Sequence, residues 1–334
     1  MYDIFRCPKC HQPMSLPSCS CNYKAVYHKG VYQLTDDPYM VKDDSAEIKY
    51  IGYENIGENY SGDSLFKKIT MDKKYMKVRD IIGDGILLDL ACGDGLYTVP
   101  LIKSGVKVIS MDISDKMLSL LYKRAETEEI DTSKLLVCRA NALAVPLIDG
   151  CVDAVIANSV LHLISRPEIV IGEIYRVLKN KGKYIAFQEK PNDRYVNENG
   201  LTTEEKAENK KYYELLNYVH NRYFEILGNQ YNIRVTRYSW NFDRDKICSK
   251  LFHDKKTYTI SANRKIADSF QQLFLKRMSG KGFSDQSDVP QDIHQKVFHK
   301  VMDEFTDKFG QNAVNTMFTG YENNFEISVY TKLN

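Results

Sequence analysis

The chain has 334 residues, 43% of them hydrophobic, which is enough for a sizeable core and excludes global disorder. Its 46 basic and 44 acidic residues leave a net charge of +2, so no chain-wide field marks a nucleic-acid or membrane binder, although a local basic patch is compatible with that balance. No run reaches the roughly 18–20 apolar residues of a membrane span, and the opening MYDIFRCPKC carries no apolar signal core; a cytoplasmic, non-membrane protein is expected.

Residues 1–35 are short and rich in Cys, Pro and Tyr. Four of the eight cysteines fall here: Cys7-Pro-Lys-Cys10, then Cys19-Ser-Cys21 after eight residues. In a reducing compartment two close pairs favour a metal over disulfides. Four thiolates in a tetrahedron suit structural Zn²⁺, whose binding would supply folding energy that so small a ribbon lacks. His11 and His28 are alternative ligands. The other cysteines (Cys92, Cys138, Cys151, Cys248) are scattered and read as small buried residues.

Residues 36–83 are polar, with a helix predicted from about Ser64 to Ile82. From Ile86 to Phe187 short apolar runs alternate with helical segments. ILLDLA, VKVISMD, KLLVC, DAVIAN and KYIAF read as strands, with helices near Leu96–Ser104, Asp115–Glu128 and Glu168–Leu178. Gly105 and Gly182 are assigned to helix ends. This alternation implies right-handed crossovers and a parallel sheet covered on both faces. Residues 191–310 break the rhythm. Tyr212, Leu216, Val219, Tyr223 and Leu227 share one helical face; Ile293, Val297, Val301, Phe305 and Phe309 share another. Asp288 and Pro290 suit the start of the second helix, and Gly310 its end. Residues 311–334 return to strand and are expected to close the core sheet.

The segment Leu87–Thr98, LLDLACGDGLYT, ends a buried strand at Asp89 and turns through Gly93 and Gly95 into a helix. Glycines let the backbone approach a ligand, and the helix start offers N–H groups to a carboxylate. Asp89 offers a carboxylate to an ammonium, so a zwitterionic amino acid satisfies both ends. Asp112, ending the next strand, suits a ribose diol. A dinucleotide fingerprint wants a third glycine where this chain has Thr98.

DLACGDG, then MDIS, ANALAVPL, VDAVIANSVLHLI and EIYRVLKNKGKYIAF, resemble the class I S-adenosylmethionine (SAM)-dependent methyltransferases of the small-domain, type 11-like kind. The resemblance runs in order over about a third of the chain. It implies a doubly wound α/β fold with a seven-stranded, mostly parallel Rossmann-like sheet whose last strand is antiparallel. The family's SAM-binding positions fall on Asp89, Gly93 and Gly95 for the methionine part, Asp112 for ribose, and Ile113 beside the adenine. Asn141-Ala142 stand where the family often has an acid before alanine. Asn158 ends the fourth strand facing the SAM pocket, and Leu161 lies in the following loop. The N-terminal run also resembles the ribbon preceding many methyltransferase domains, bacterial large-subunit rRNA guanine methyltransferases among them.

The expected organisation is therefore a zinc ribbon (1–35), a linker and helix (36–83), a SAM-binding core (84–190), a mostly helical substrate cover (191–310) and closing strands (311–334). Tyr53 and Tyr60 precede the core, and Tyr60 is a candidate lid over SAM. No motif names a catalytic base; His162, after the fourth strand, is the candidate because imidazole titrates near neutrality. The insertion favours a small-molecule acceptor. RNA base methylation, protein methylation and a non-catalytic SAM-binding role are the alternatives, and the near-neutral charge argues against RNA. Nothing in the sequence fixes the oligomeric state.

Overall fold

The computed structural model describes residues 3–35, 65–164, 166–187, 196–233, 242–261, 265–283, 286, 289–322 and 324–333. Tyr53, Tyr60 and Asp288, singled out above, lie outside the described residues.

The N-terminal segment forms β1 (Phe5–Arg6), β2 (Pro13–Met14), β3 (Val26–His28) and β4 (Val31–Gln33), followed by α1 (Leu65–Ile82). The alternating stretch becomes β5 (Ile86–Leu90), α2 (Thr98–Lys103), β6 (Lys107–Asp112), α3 (Asp115–Thr127), β7 (Leu135–Arg139), β8 (Val152–Ile156), α4 (Pro167–Val177) and β9 (Leu178–Phe187). Then come β10 (Val196–Asn197), α5 (Thr203–Tyr231), α6 (Arg244–Cys248), β11 (Asp254–Ile260), β12 (Lys265–Ser269), α7 (Lys276–Ser279), α8 (Gln291–Phe309), β13 (Met317–Glu322) and β14 (Phe325–Thr331). Caps follow the local chemistry. Ser114 opens α3 by accepting from the Met117 N–H at 3.2 Å, and Thr202 and Glu205 form a capping box on α5.

The main sheet has the order β11-β14-β9-β8-β5-β6-β7-β4-β3. Strands β7-β6-β5-β8-β9 are parallel and doubly wound, while β14 runs antiparallel between β9 and β11. Seven of the nine strands thus reproduce the expected mostly parallel sheet; β3 and β4 extend it at the far edge. One face carries α4, α6 and the N-terminal module, the other α1, α2 and α3.

Three placements differ from the sequence reading. First, the 191–310 segment is not purely an insertion outside the core sheet: its β11 joins that sheet, and β13 pairs with both β12 and β10 in a separate three-stranded sheet. Of the closing strands only β14 reaches the core sheet. Local pattern marks β13 as a strand but cannot choose its partner, because pairing is a long-range contact. The helical segment has its own apolar core, with Tyr212, Val219 and Tyr223 of α5 against Val297, Val301 and Phe305 of α8. Second, residues 1–35 are stitched to the core. Arg6 N–H donates to Pro146 O at 3.1 Å, Ile148 N–H to Ile4 O at 3.0 Å, and β4 lies parallel to β7. Phe5, Met14, Leu16 and Leu34 share one apolar cluster with Leu90, Leu147 and Val155. Third, Gly182 ends no helix. It lies within β9, where an added Cβ would sit 2.7 Å from Lys179 O, and the left-handed residue there is Lys181.

Candidate cofactor and metal sites

The order of the parallel strands reverses between β5 and β8, and ligands of open α/β sheets bind at such a switch point, outside the carboxyl ends. Asp89 lies on β5 in register with Ser110 of β6 and Ile156 of β8. After β5 the chain turns through left-handed conformations at Ala91, Gly93 and Gly95 (φ 57°, 56° and 80°). The two glycines are required for different reasons. A Cβ on Gly93 would meet nothing within 4 Å except Met117 Sδ at 3.9 Å, so its side is open. A Cβ on Gly95 would sit 3.0 Å from Leu121 Cγ, so its absence lets α3 pack against the turn.

Asp89 is buried. Its Oδ2 accepts from the Thr98 hydroxyl at 2.7 Å, and that hydroxyl lies 2.7 Å from Ser110 Oγ. Burial pushes the Asp89 carboxyl up to about 7; the Thr98 hydroxyl pulls it down, and nearby Asp112 and Asp94 push it up further. Asp112 is also buried and accepts from Gly93 N–H through Oδ2 and Ser114 N–H through Oδ1, both at 2.9 Å. Each carboxylate oxygen has two lone pairs, so a diol is still compatible with these bonds. Ile113 follows, buried. The result is a turn holding three buried acids, Asp89, Asp94 and Asp112. Such a concentration of negative charge suits a cationic ligand.

Asn141 and Ala142 follow β7 at the same edge. The Asn141 side-chain carbonyl accepts from Leu143 N–H at 2.9 Å, so it orders its own turn. Asn158 stands two residues beyond β8 and donates from Nδ2 to Ser159 Oγ at 3.2 Å. His162 is half-buried in the short 3₁₀ turn Leu161–Leu163. Sequence reasoning missed Thr98, Ser110 and Asp94 as partners of the acids. Ser110 was legible: it precedes Asp112 by two in a strand and so shares its face. Thr98 was weighed only as a missing glycine.

At the N-terminus Cys7, Cys10, Cys19 and Cys21 converge, their four sulfurs all within 4.8 Å of one another. The Cys7–Cys21 and Cys10–Cys19 sulfur pairs are each 3.6 Å apart. A tetrahedral ion with Zn–S bonds of about 2.3 Å needs sulfur separations of about 3.8 Å, so the donor set fits. Two tight turns present it: His11 N–H donates to Cys7 O at 2.9 Å and Asn22 N–H to Cys19 O at 3.0 Å, with His11 and Asn22 left-handed. Neither His11 nor His28 joins the quartet. The other four cysteines are buried.

A doubly wound sheet whose β14 runs antiparallel between β9 and β11, and a glycine turn with acids at its switch point, fit a Rossmann-like methyltransferase fold. Residues 88–186 match the family described as "Methyltransferase domain", about 30% of the chain. Among similar proteins are two uncharacterized chloroplastic methyltransferases of Arabidopsis thaliana. One is 34% identical over 36% of this chain and 34% of its own length, the other 26% identical over 55% and 61%. The demethylmenaquinone methyltransferase of Lactobacillus johnsonii is 33% identical over 33% of this chain and 46% of its own. The chain thus spans between a third and about three-fifths of the length of these relatives.

Proposed function

We propose that this protein transfers a methyl group from SAM to a small-molecule acceptor, with a structural zinc ion in the N-terminal module. The observation that carries the first part is the trio of buried acids around an open glycine turn at the sheet's switch point. Asp89 is placed to take the ligand ammonium, the open side of Gly93 to admit its backbone approach, and Asp112 to hold the ribose. Ile113, Asn141 and Ala142 line the side assigned to the adenine. When bound, SAM supplies a methyl group already activated by a sulfonium. The chain's own task is to align an acceptor in line with that methyl and exclude water. His162 stands after β8 at this same edge and is the candidate to take a proton from an acceptor that carries one.

A small-molecule acceptor is supported by the demethylmenaquinone methyltransferases among the relatives and by a segment with its own core inserted after β9. The zinc proposal rests on the thiolate geometry: four ligands complete a tetrahedron and leave no open position for chemistry.

The test is calorimetry with S-adenosylhomocysteine on the whole chain. Wild type should bind, and Asp112→Ala should weaken binding by about 1.5–3 kcal/mol, the range for hydrogen bonds to a charged group. A wild-type chain that binds neither SAM nor its product refutes the reading. Salt-sensitive RNA binding with no small-molecule turnover would transfer the acceptor to RNA.

A further inference from the structure

We infer that Arg176 and Glu173 of α4 are positioning residues for the cofactor: they fix the turn that begins at Asn141 and so set the preference for adenine. This rests on the methyltransferase reading and deepens it.

The crossover between two parallel strands is usually a helix, which satisfies its own backbone. Residues 140–151, which join β7 to β8, form no helix, so their N–H and C=O groups need other partners. At the near end Ala140 N–H donates to Asp112 O at 3.0 Å, which ties the turn to the residue assigned to the ribose. Within the turn, Leu143 N–H donates to Asn141 Oδ1 at 2.9 Å and Ala144 N–H to Asn141 O at 3.0 Å. The far end is held from α4. Val145 N–H donates to Glu173 Oε2 at 2.8 Å, and Val145 O accepts from Arg176 Nη2 at 2.8 Å. The stretch beyond is held from the other side, with Pro146 O and Ile148 N–H bonded to Arg6 and Ile4 of the N-terminal module.

Arg176 is fully committed to this task. Besides Val145 O, Nη2 donates to Glu173 Oε2 and Nε to Glu173 Oε1, each at 2.8 Å. Nη1 donates to Leu147 O at 2.6 Å and to Asp149 Oδ1 at 2.8 Å. Those contacts use all the N–H groups of a guanidinium, in a planar fork that the single ammonium of a lysine cannot reproduce. The Arg176 and Glu173 side chains are only 17% and 19% exposed, so the pair is held in a partly dry setting where these bonds are strong. Both residues act through the backbone of 145–149 on the turn before it. The turn assigned to the adenine is thus suspended between the ribose acid's own carbonyl and the α4 pair, and losing the pair frees one of its two ends.

The experiment uses the full chain in calorimetry with two ligands: S-adenosylhomocysteine, and S-inosylhomocysteine, which carries hypoxanthine in place of adenine. Wild type should prefer the first by about tenfold or more, the scale of hydrogen bonds gained or lost at a base edge. Arg176→Lys keeps the charge without the fork. It should weaken S-adenosylhomocysteine about tenfold and S-inosylhomocysteine less than about threefold, so that the preference goes while the rest of the site still binds. Glu173→Gln should change the preference in the same direction to a smaller extent, and it carries the test if Arg176→Lys does not fold. A preference that survives in both variants overturns the inference. So does a wild type that binds the two ligands alike, or variants that weaken both ligands equally; in each case the methyltransferase reading stands. A wild type that binds neither ligand overturns both.

Discussion

Asp89 gives a quantitative handle on the proposed cofactor site. The folded chain holds its proton up to about pH 7, against an ordinary value of 3.8, chiefly because of burial. The folded state therefore keeps a proton that the unfolded state releases, and stability falls as pH rises from 3.8 to about 7, then levels off. The difference is about 3 pKa units, 7 minus 3.8, or at most about 4 kcal/mol at 1.36 kcal/mol per unit. Asp89→Asn removes the charge, and its side-chain oxygen can still accept from Thr98. The variant should match wild type near pH 4 and exceed it by up to about 4 kcal/mol at pH 8 in urea unfolding without ligand. A cationic ligand acts in the opposite sense. Its ammonium stabilises the ionised carboxylate, so wild-type affinity should climb with pH towards 7 and flatten above it, while Asp89→Asn binds weakly throughout. A stability difference between variant and wild type that is the same at pH 4 and pH 8 would refute the argument.

Elsewhere, Gly95→Ala should cost about 1–3 kcal/mol in thermal or urea unfolding, because its Cβ would sit 3.0 Å from Leu121 Cγ at a φ of +80°; an unchanged midpoint would mean that α3 simply shifts. Cys10→Ser should lower zinc from about one per chain to near none by elemental analysis, and hydrogen exchange should quicken through residues 3–35 and at 146–148, where the module is stitched to the core. His294 is buried, with Tyr223 Oη 2.7 Å from Nδ1 and Ser279 O 2.9 Å from Nε2; desolvation lowers its pKa below 6.5, and Lys281 and His299 reinforce this. Since a carbonyl only accepts, Nε2 carries the proton and Nδ1 accepts from Tyr223. The unfolded chain binds the extra proton first, so the segment containing α5 and α8 should lose stability as pH falls below about 6.5; His294→Gln should flatten that limb of the unfolding profile.

The core was legible where local pattern and chemistry coincide. β5 through β9 announce themselves as apolar runs between amphipathic helices, with Asp89 and Asp112 standing out as acids near the ends of β5 and β6 and Gly93 in the turn after β5. Pairing partners were not legible. VNTMFT reads as a strand as clearly as NFEISVYTK, yet β13 and β14 belong to different sheets, and β11, with Lys255, Lys256 and mostly exposed residues, gives little apolar alternation to betray a place in the main sheet. The cysteine quartet could be read from spacing, because metal geometry constrains four residues within a short loop. The stitching of that loop to residues 146–148 depends on contacts more than a hundred residues apart. In the cofactor turn, the two glycines look identical in sequence; only the position of Leu121 separates the one that leaves room from the one that avoids a clash.

The hairpin of β3 and β4 has a consequence beyond the N-terminal module. By lying along β7 it occupies the backbone N–H and C=O groups that would otherwise form one rim of a long parallel sheet, an open template for another chain. The hairpin follows directly on the four thiolates, so whatever gathers those sulfurs also guards that rim. Stripping the ion should therefore be felt first as chains adhering to one another along β7, before any loss of S-adenosylhomocysteine binding.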